Sequence, residues 1–331
     1  MGVLRYLLAS IIVICHCGPI FGSFTGPSGA TTVSIFMIIS GFYMALVSQN
    51  YNSYKNFLLN RFLKIYPCYW LILSLTFIIF YWRLQQGYFN PLIYYQEIFK
   101  NEQTAFWYVI FQNIFLFGRN LFFKVDALFK LVGAENEWCI VPLPQGWSLE
   151  IEMLFYIAAP FINKMRLSDL AILFFLSLFC SLENIFYLRY LVFFILGALS
   201  YRIYRRINWE KINKKFKVVI TILFFGLLLS YNQIISITGL NLNIIYYASA
   251  TIAIPFIFEL TKNNKWDRKI GELSYPLYLI HFSILWIFWT SNETRYMFAP
   301  HILIISTFIS MVLMKYLLNP IEKKMRIKFK N

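Results

Sequence analysis

Arg5 and His16 stand eleven positions apart in one apolar stretch, Leu4 to Ile20. On a helix that spacing is about three full turns, so both side chains share one face, roughly 16 Å apart along the axis. Ionisable groups inside a bilayer are expensive and rarely face lipid. Two on one stripe read as the lining of a cavity, and a histidine there suits a general base near neutral pH. The competing reading is structural: Arg5 snorkels to the cytoplasmic surface and His16 bonds a neighbouring helix. From this stretch alone the two readings weigh evenly.

Four other clusters could carry chemistry. Ser34 to Phe42, with Ser40-Gly41-Phe42, lies in the second apolar stretch. Its small residues read first as a packing notch against the first helix. Arg61 and Lys64, i and i+3, could hold a phosphate between a guanidinium fork and a point charge, although ordinary positive-inside charge explains them more simply. Gly146-Trp147-Ser148-Leu149-Glu150-Ile151-Glu152 opens another stretch. Glu150 and Glu152 are about 200° apart on a helix, so one faces a cavity and the other looks to the interface. A carboxylate entering a membrane calls for a functional reading by default. Ser274 to His281 opens a later stretch, with Tyr278 and His281 one turn apart. A satisfied structural histidine is the heavier reading of His281. His301 needs no special role.

These residues must be held by helices in a membrane. Of 331 residues, 59% are hydrophobic and only 14% charged, with a mean hydropathy of +0.60, which excludes a soluble globule. The expected fold is an all-α polytopic membrane protein. Its apolar spans are roughly 3–21, 30–48, 65–82, 147–163, 167–184, 186–204, 216–232, 242–260, 273–291 and 300–318. The net charge of +15 does not signal nucleic acid, because the basic residues fall in alternate loops. Lys55, Arg61 and Lys64 come without an acid, and Arg202–Lys217 holds seven basic residues and one acid. Lys262–Lys269 and Glu322–Lys330 are basic too, whereas 83–146 balances five against five. Ten crossings with both termini cytoplasmic satisfy this asymmetry. The apolar run Phe106–Phe117 must then dip, lie at the interface, or pair with a second excursion near Leu121–Val132. The chain reads as one domain, 1–331, with 83–146 as an extracytoplasmic loop carrying a candidate re-entrant segment. Residues 1–25 lack a cleavage site and read as an uncleaved helix. Cys15, His16 and Cys17 are consecutive and cannot converge on one ion. No metal is expected.

Together the clusters resemble the integral-membrane acyltransferases called acyltransferase family 3, which O-acylate bacterial surface sugars. The family's Arg-x10-His is matched by Arg5 and His16, and its Phe-x-x-Ser-Gly-Phe-like run by Phe36–Phe42 with one extra residue before Ser40. Its Arg-x-x-Arg-x-x-Pro appears as Arg61, Lys64 and Pro67. Trp-Ser-Leu-x-x-Glu-x-x-Phe-Tyr is complete from Trp147 to Tyr156, and Ser-Tyr-x-x-Tyr-Leu-x-His from Ser274 to His281. The resemblance implies acyl-CoA reaching the site from the cytoplasm as co-substrate, with no bound cofactor and with acetyl the commonest acyl group. It implies a surface glycan or lipid-linked sugar as acceptor, approaching Trp147–Glu152 from outside. It also implies a bacterial cytoplasmic membrane location and polysaccharide-assembly proteins as partners. Lys64 in place of the second Arg weakens a bidentate phosphate contact, and Glu150 is extra to the pattern. No secreted esterase-like domain is seen, so transfer is expected to finish in the membrane domain.

On this reading His16 is the general base, Arg5 orients the donor or the active-site network, and Glu152 binds the acceptor or holds a catalytic group. Arg61 and Lys64 bind the donor. Ser40, Tyr278 and His281 support the site, and an acyl-enzyme through Ser40 or Ser274 stays open. Two rival classes remain: a transporter or exporter of lipid-linked sugar or polysaccharide, which ten spans with buried charges would suit, and a structural partner in a polysaccharide synthase. No half-to-half repeat supports the transporter.

Overall fold

The structure is a computed structural model that describes residues 1–20, 24, 26–51, 53–88, 90–118, 141–183, 187–240, 242–289 and 298–329, the last five in backbone only. Among the described residues its regular secondary structure is helical, with one isolated bridge between Ile20 and Phe24. Each of the ten apolar stretches falls on a helix. These are α1 (Gly2–Cys17), α2 (Gly29–Val47), α3 (Tyr54–Gln85), α6 (Gly146–Lys164), α7 (Leu167–Leu182), α8 (Leu191–Arg206), α9 (Lys214–Leu229), α11 (Asn243–Thr261), α13 (Ser274–Phe288) and α14 (Ala299–Leu313). Between them lie α4 (Leu92–Asn101), α5 (Gln103–Phe115), α10 (Tyr231–Thr238) and α12 (Lys265–Glu272), and α15 (Asn319–Phe329) follows α14 through a single π-helical turn.

Five helical segments are long and apolar enough to cross a membrane: Gly29–Asn50, Tyr54–Gln85, Asn243–Thr261, Lys265–Phe288 and Ala299–Lys324. The pair Lys214–Leu229 and Tyr231–Thr238, bent by 64°, adds a sixth if it is one span, whereas Gly2–Cys17 and Leu167–Leu182 are shorter apolar helices. The chain is a multi-pass membrane protein.

Where the sequence reads as one domain, the chain divides into two compact units, Met1–Asn60 with Leu154–Tyr275 and Arg61–Met153 with Pro276–Asn331. The divisions fall inside helices α3, α6 and α13 rather than in linkers, so composition carries no trace of them. The suggested excursion at Leu121–Val132 lies outside the described residues.

In the first unit the core gathers Leu8 and Ile11 of α1, Ile38 and Phe42 of α2, and Tyr246 and Ile254 of α11. The small residues of the second stretch do form a notch, but against α8 rather than α1. A Cβ on Gly41 would fall 2.1 Å from Phe194 O, and one on Gly197 would fall 2.0 Å from Ile38 O. Two glycines therefore let the α2 and α8 backbones touch, the close approach small residues permit in membranes. Arg202 on α8 closes the end of α6 by donating to Met165 O at 2.6 Å, with Ile162 O and Asn163 O at 3.4 Å. A cation on the last carbonyls also complements the helix dipole.

Helix α3, which the division crosses after Asn60, is longer than its apolar stretch. It starts at Tyr54, so the basic segment expected as a loop is helical. Burial recurs at Phe57, Arg61, Ile65, Cys68 and Ile72, a helical stripe. The sequence alone hides this stripe because an arginine occupies one of its positions. Against α3 packs α5, which covers most of Phe106–Phe117. The last carbonyls of a helix lack intrahelical partners, and here three consecutive ones are met by aromatic side chains of α3. Tyr69 OH donates to Asn113 O, Trp70 Nε1 to Ile114 O at 2.8 Å, and Tyr66 OH to Phe115 O. Leu116 then takes a left-handed turn at φ 49°. The C-terminal end of α5 is thus completed by side-chain donors of α3.

Candidate active site

Helix α1 carries Arg5 and His16, both half-buried, with the seven residues Leu8 to Ile14 between them buried. A helix buried around its circumference lies inside the fold, and its two ionisable side chains are reached near its ends. The expected span 3–21 is shorter as helix, since α1 stops at Cys17 and Gly18 turns with φ 102°. The stop is written in the sequence as Gly18-Pro19: proline lacks the N–H to continue a helix and disfavours the α conformation before it. His16 therefore sits in the last turn rather than within a longer helix. Beside it is the first turn of α2, where a Cβ on Gly29 would lie 3.9 Å from His16 Nε2. That turn is fixed by Ser28, which accepts from Thr31 N at 3.2 Å, and by Thr31 Oγ1 donating to Asn243 Oδ1 at 3.0 Å.

The other end of α1 is held by a residue that the sequence reading missed. Asp267 on α12 accepts from Gly2 N at 2.6 Å and Val3 N at 2.9 Å, and from the Met1 amine at 2.7 Å. A carboxylate meeting first-turn N–H groups is an N-cap supplied by a distant helix. The contact is close: a Cβ on Gly271 would fall 2.5 Å from Gly2 Cα. The available signal was a lone acid inside the basic run Lys262–Lys269. Ser40 is half-buried on α2. Ser274 is buried, and its hydroxyl donates to Gly271 O at 2.7 Å at the junction of α12 and α13. That bond ties the hydroxyl to a structural role and weighs against an acyl-enzyme there.

The second unit holds the remaining candidates. Arg61 is buried and Lys64 exposed, because Arg61 lies on the buried stripe of α3 and Lys64 about 60° off it. The two share a side of the helix but not an environment. Glu152 is half-buried, whereas Glu150 is fully buried. Of the two carboxylates, Glu150 is thus the inward one. Glu150 Oε1 accepts from Gly118 N at 2.7 Å, and Gly118 O accepts from Tyr108 OH at 2.7 Å and Gln112 Nε2 at 3.2 Å. Glu150 fastens the chain leaving α5 to the first turns of α6. His281 is fully buried, its ring centroid 6.0 Å from Tyr278 and 4.8 Å from Phe282. Tyr278 OH lies 2.7 Å from Ser148 Oγ and donates to Gln145 O at 3.0 Å. The Trp147–Tyr156 and Ser274–His281 motifs therefore meet through hydroxyls. Gln145 reaches the backbone of Leu279, about 8 Å along α13 from Ser274. The start of α6 thus lies beside the second turn of α13.

A protein-family model described as an acyltransferase domain matches residues 1–319. No curated protein and no solved structure matches the chain.

Proposed function

This chain belongs to acyltransferase family 3 and is an acyl-transferring membrane enzyme, and from that premise we propose that it moves an acyl group from cytoplasmic acyl-CoA to a hydroxyl of an extracytoplasmic cell-surface glycan. Acetyl is the acyl group we assign. His16 takes the proton of the attacking hydroxyl, a task that suits imidazole, whose unperturbed pKa is about 6.5. The hydroxyl oxygen bonds to the thioester carbonyl carbon, the C–S bond breaks, and the departing CoA thiolate takes up a proton. Arg5 orients the donor end of the site, Arg61 and Lys64 hold donor phosphate, and Glu152 engages the acceptor. Ser40, Tyr278 and His281 support these groups. The observation that carries this reading is His16, half-buried in the last turn of a helix whose middle is buried and whose start is held by Asp267. Ten crossings, cytoplasmic termini, an inner-membrane location and contact with polysaccharide-assembly proteins complete the proposal.

The test is mass spectrometry of surface glycan from cells carrying wild type or His16→Ala. The expected result is loss of the acyl group with the protein still in the membrane. Unchanged acyl content would remove His16 from this role. A transporter variant would instead lose export of intact glycan, so the same sample separates the two classes.

A further inference from the structure

Gln145 precedes Gly146, the first residue of α6, and is 1% exposed. Its Nε2 donates to Leu279 O at 2.8 Å and lies 3.4 Å from Tyr278 O. Two carbonyl partners identify that end of the amide as the nitrogen, so the other end is the oxygen. The backbone carbonyl of Gln145 accepts from Tyr278 OH at 3.0 Å, and Ser148 Oγ lies 3.1 Å from the same carbonyl and 2.7 Å from Tyr278 OH. Amid this network one atom stands apart: Gln145 Oε1 is buried and has no hydrogen-bond partner among the described residues. Leaving such an acceptor unsatisfied costs about 1–3 kcal/mol, and native structures leave few of them. Among the described residues the network holds the oxygen in one place and supplies it with no donor.

The position narrows which donor. Gln145, Ser148 and Glu152 follow the i, i+3, i+7 spacing of one helix face, so Gln145 and the half-buried Glu152 are about 10 Å apart along one stripe. Two hydrogen-bond acceptors so spaced suit a ligand with several hydroxyl donors. The thioester group has no donor, and the amide N–H groups of the pantetheine arm are tested separately through the acetyl-CoA KM. We propose that Gln145 Oε1 accepts a hydrogen bond from a hydroxyl of the sugar acceptor, making Gln145 an acceptor-binding residue that works with Glu152. The inference rests on the glycan-acylation reading above and adds to it the residue that selects a hydroxylated acceptor. A site built to bond a hydroxyl rejects a ligand without one because its own polar group is then left unpaired.

The experiment uses full-length protein in proteoliposomes, with acetyl-CoA and base-deacylated surface glycan from the host cells as probes. Gln145→Met keeps length but removes the acceptor together with the amide donor to Leu279 O; Gln145→Asn withdraws both by one methylene; Gln145→Glu, as the protonated acid, keeps both an acceptor oxygen and a donor to Leu279 O. For Met and Asn the glycan KM is expected to rise about ten-fold, the worth of one hydrogen bond, with the acetyl-CoA KM unmoved. Gln145→Glu should recover most of the glycan KM. If Gln145→Met does not fold, Gln145→Asn must show the same split. An unmoved glycan KM, a rise confined to the acetyl-CoA KM, or a kcat loss that only follows the melting temperature would overturn the proposal in favour of a structural tether or a trapped water. If wild type transfers no acetyl group to glycan, the functional reading itself fails and the inference falls with it. That outcome is told apart because it appears before any variant is made.

Discussion

Gly29 leaves open the space beside His16 Nε2, since a Cβ there would sit 3.9 Å away, an ordinary contact distance. Gly29→Ala is therefore expected to keep turnover, while Gly29→Leu should fill the space and lower kcat about ten-fold or more through misplacement of the reacting groups. A steady-state assay with acetyl-CoA checks both; full activity in the leucine variant would mean that this space is not where substrate sits. The two carboxylates of α6 divide in the same manner. Glu150→Ala orphans the Gly118 N–H, bonded now at 2.7 Å, and should lower stability by about 1–3 kcal/mol. Glu152→Gln should leave the melting temperature in place and reduce transfer. Thermal unfolding and activity measured on the same preparations separate the roles, and the opposite pattern would exchange them.

At the scale of elements, contacts between distant segments set where helices end and how they cross. The aromatic cap of α5 is three bonds from Tyr66, Tyr69 and Trp70. Removing one hydroxyl, as in Tyr66→Phe or Tyr69→Phe, should cost about 0.6–1.5 kcal/mol, and because the sites adjoin, the double variant should depart from additivity. A melting curve for each variant tests this; additive losses would show that the bonds act separately. The α2–α8 crossing is less forgiving. Gly41→Val or Gly197→Val places a branched side chain where a backbone carbonyl lies about 2 Å from the first added carbon. Those variants should fail to yield monodisperse protein in detergent, whereas Gly226→Val, with nothing within 4 Å, should purify normally.

For the molecule as a whole, the charge asymmetry makes a prediction about sidedness. In a cysteine-free background, Glu210→Cys, in a loop of seven basic residues and one acid, should react with a membrane-impermeant maleimide only after the membrane is opened. Asn120→Cys, outside the described residues, should react from the intact cell surface. The reverse pattern would break the ten-crossing topology. Division into two compact units leaves that prediction unchanged, because positive-inside orientation depends on loop charge and not on how helices cluster.

Helix existence was legible from sequence because it depends on local sums. Apolar length marks a helix in a membrane, and all ten stretches are helical. Motif residues were legible for the same reason, since Arg5 and His16 share a face by spacing alone. The end of α1 at Gly18-Pro19 was equally written in the chain, though hydropathy ran past it. Other features depend on residues far apart in sequence meeting in space: Asp267 at the start of α1, Gly197 against Gly41, Glu150 on Gly118, and Gln145 against α13. A local pattern cannot say which polar group will find its partner across the fold, because a buried donor or acceptor is satisfied by whichever segment packs against it. The sequence by itself determined a helical membrane acyltransferase and the residue types for its chemistry. Only the tertiary structure decided which carboxylate became a fastener, how deep each motif begins along its helix, and which buried oxygen has no donor among the described residues.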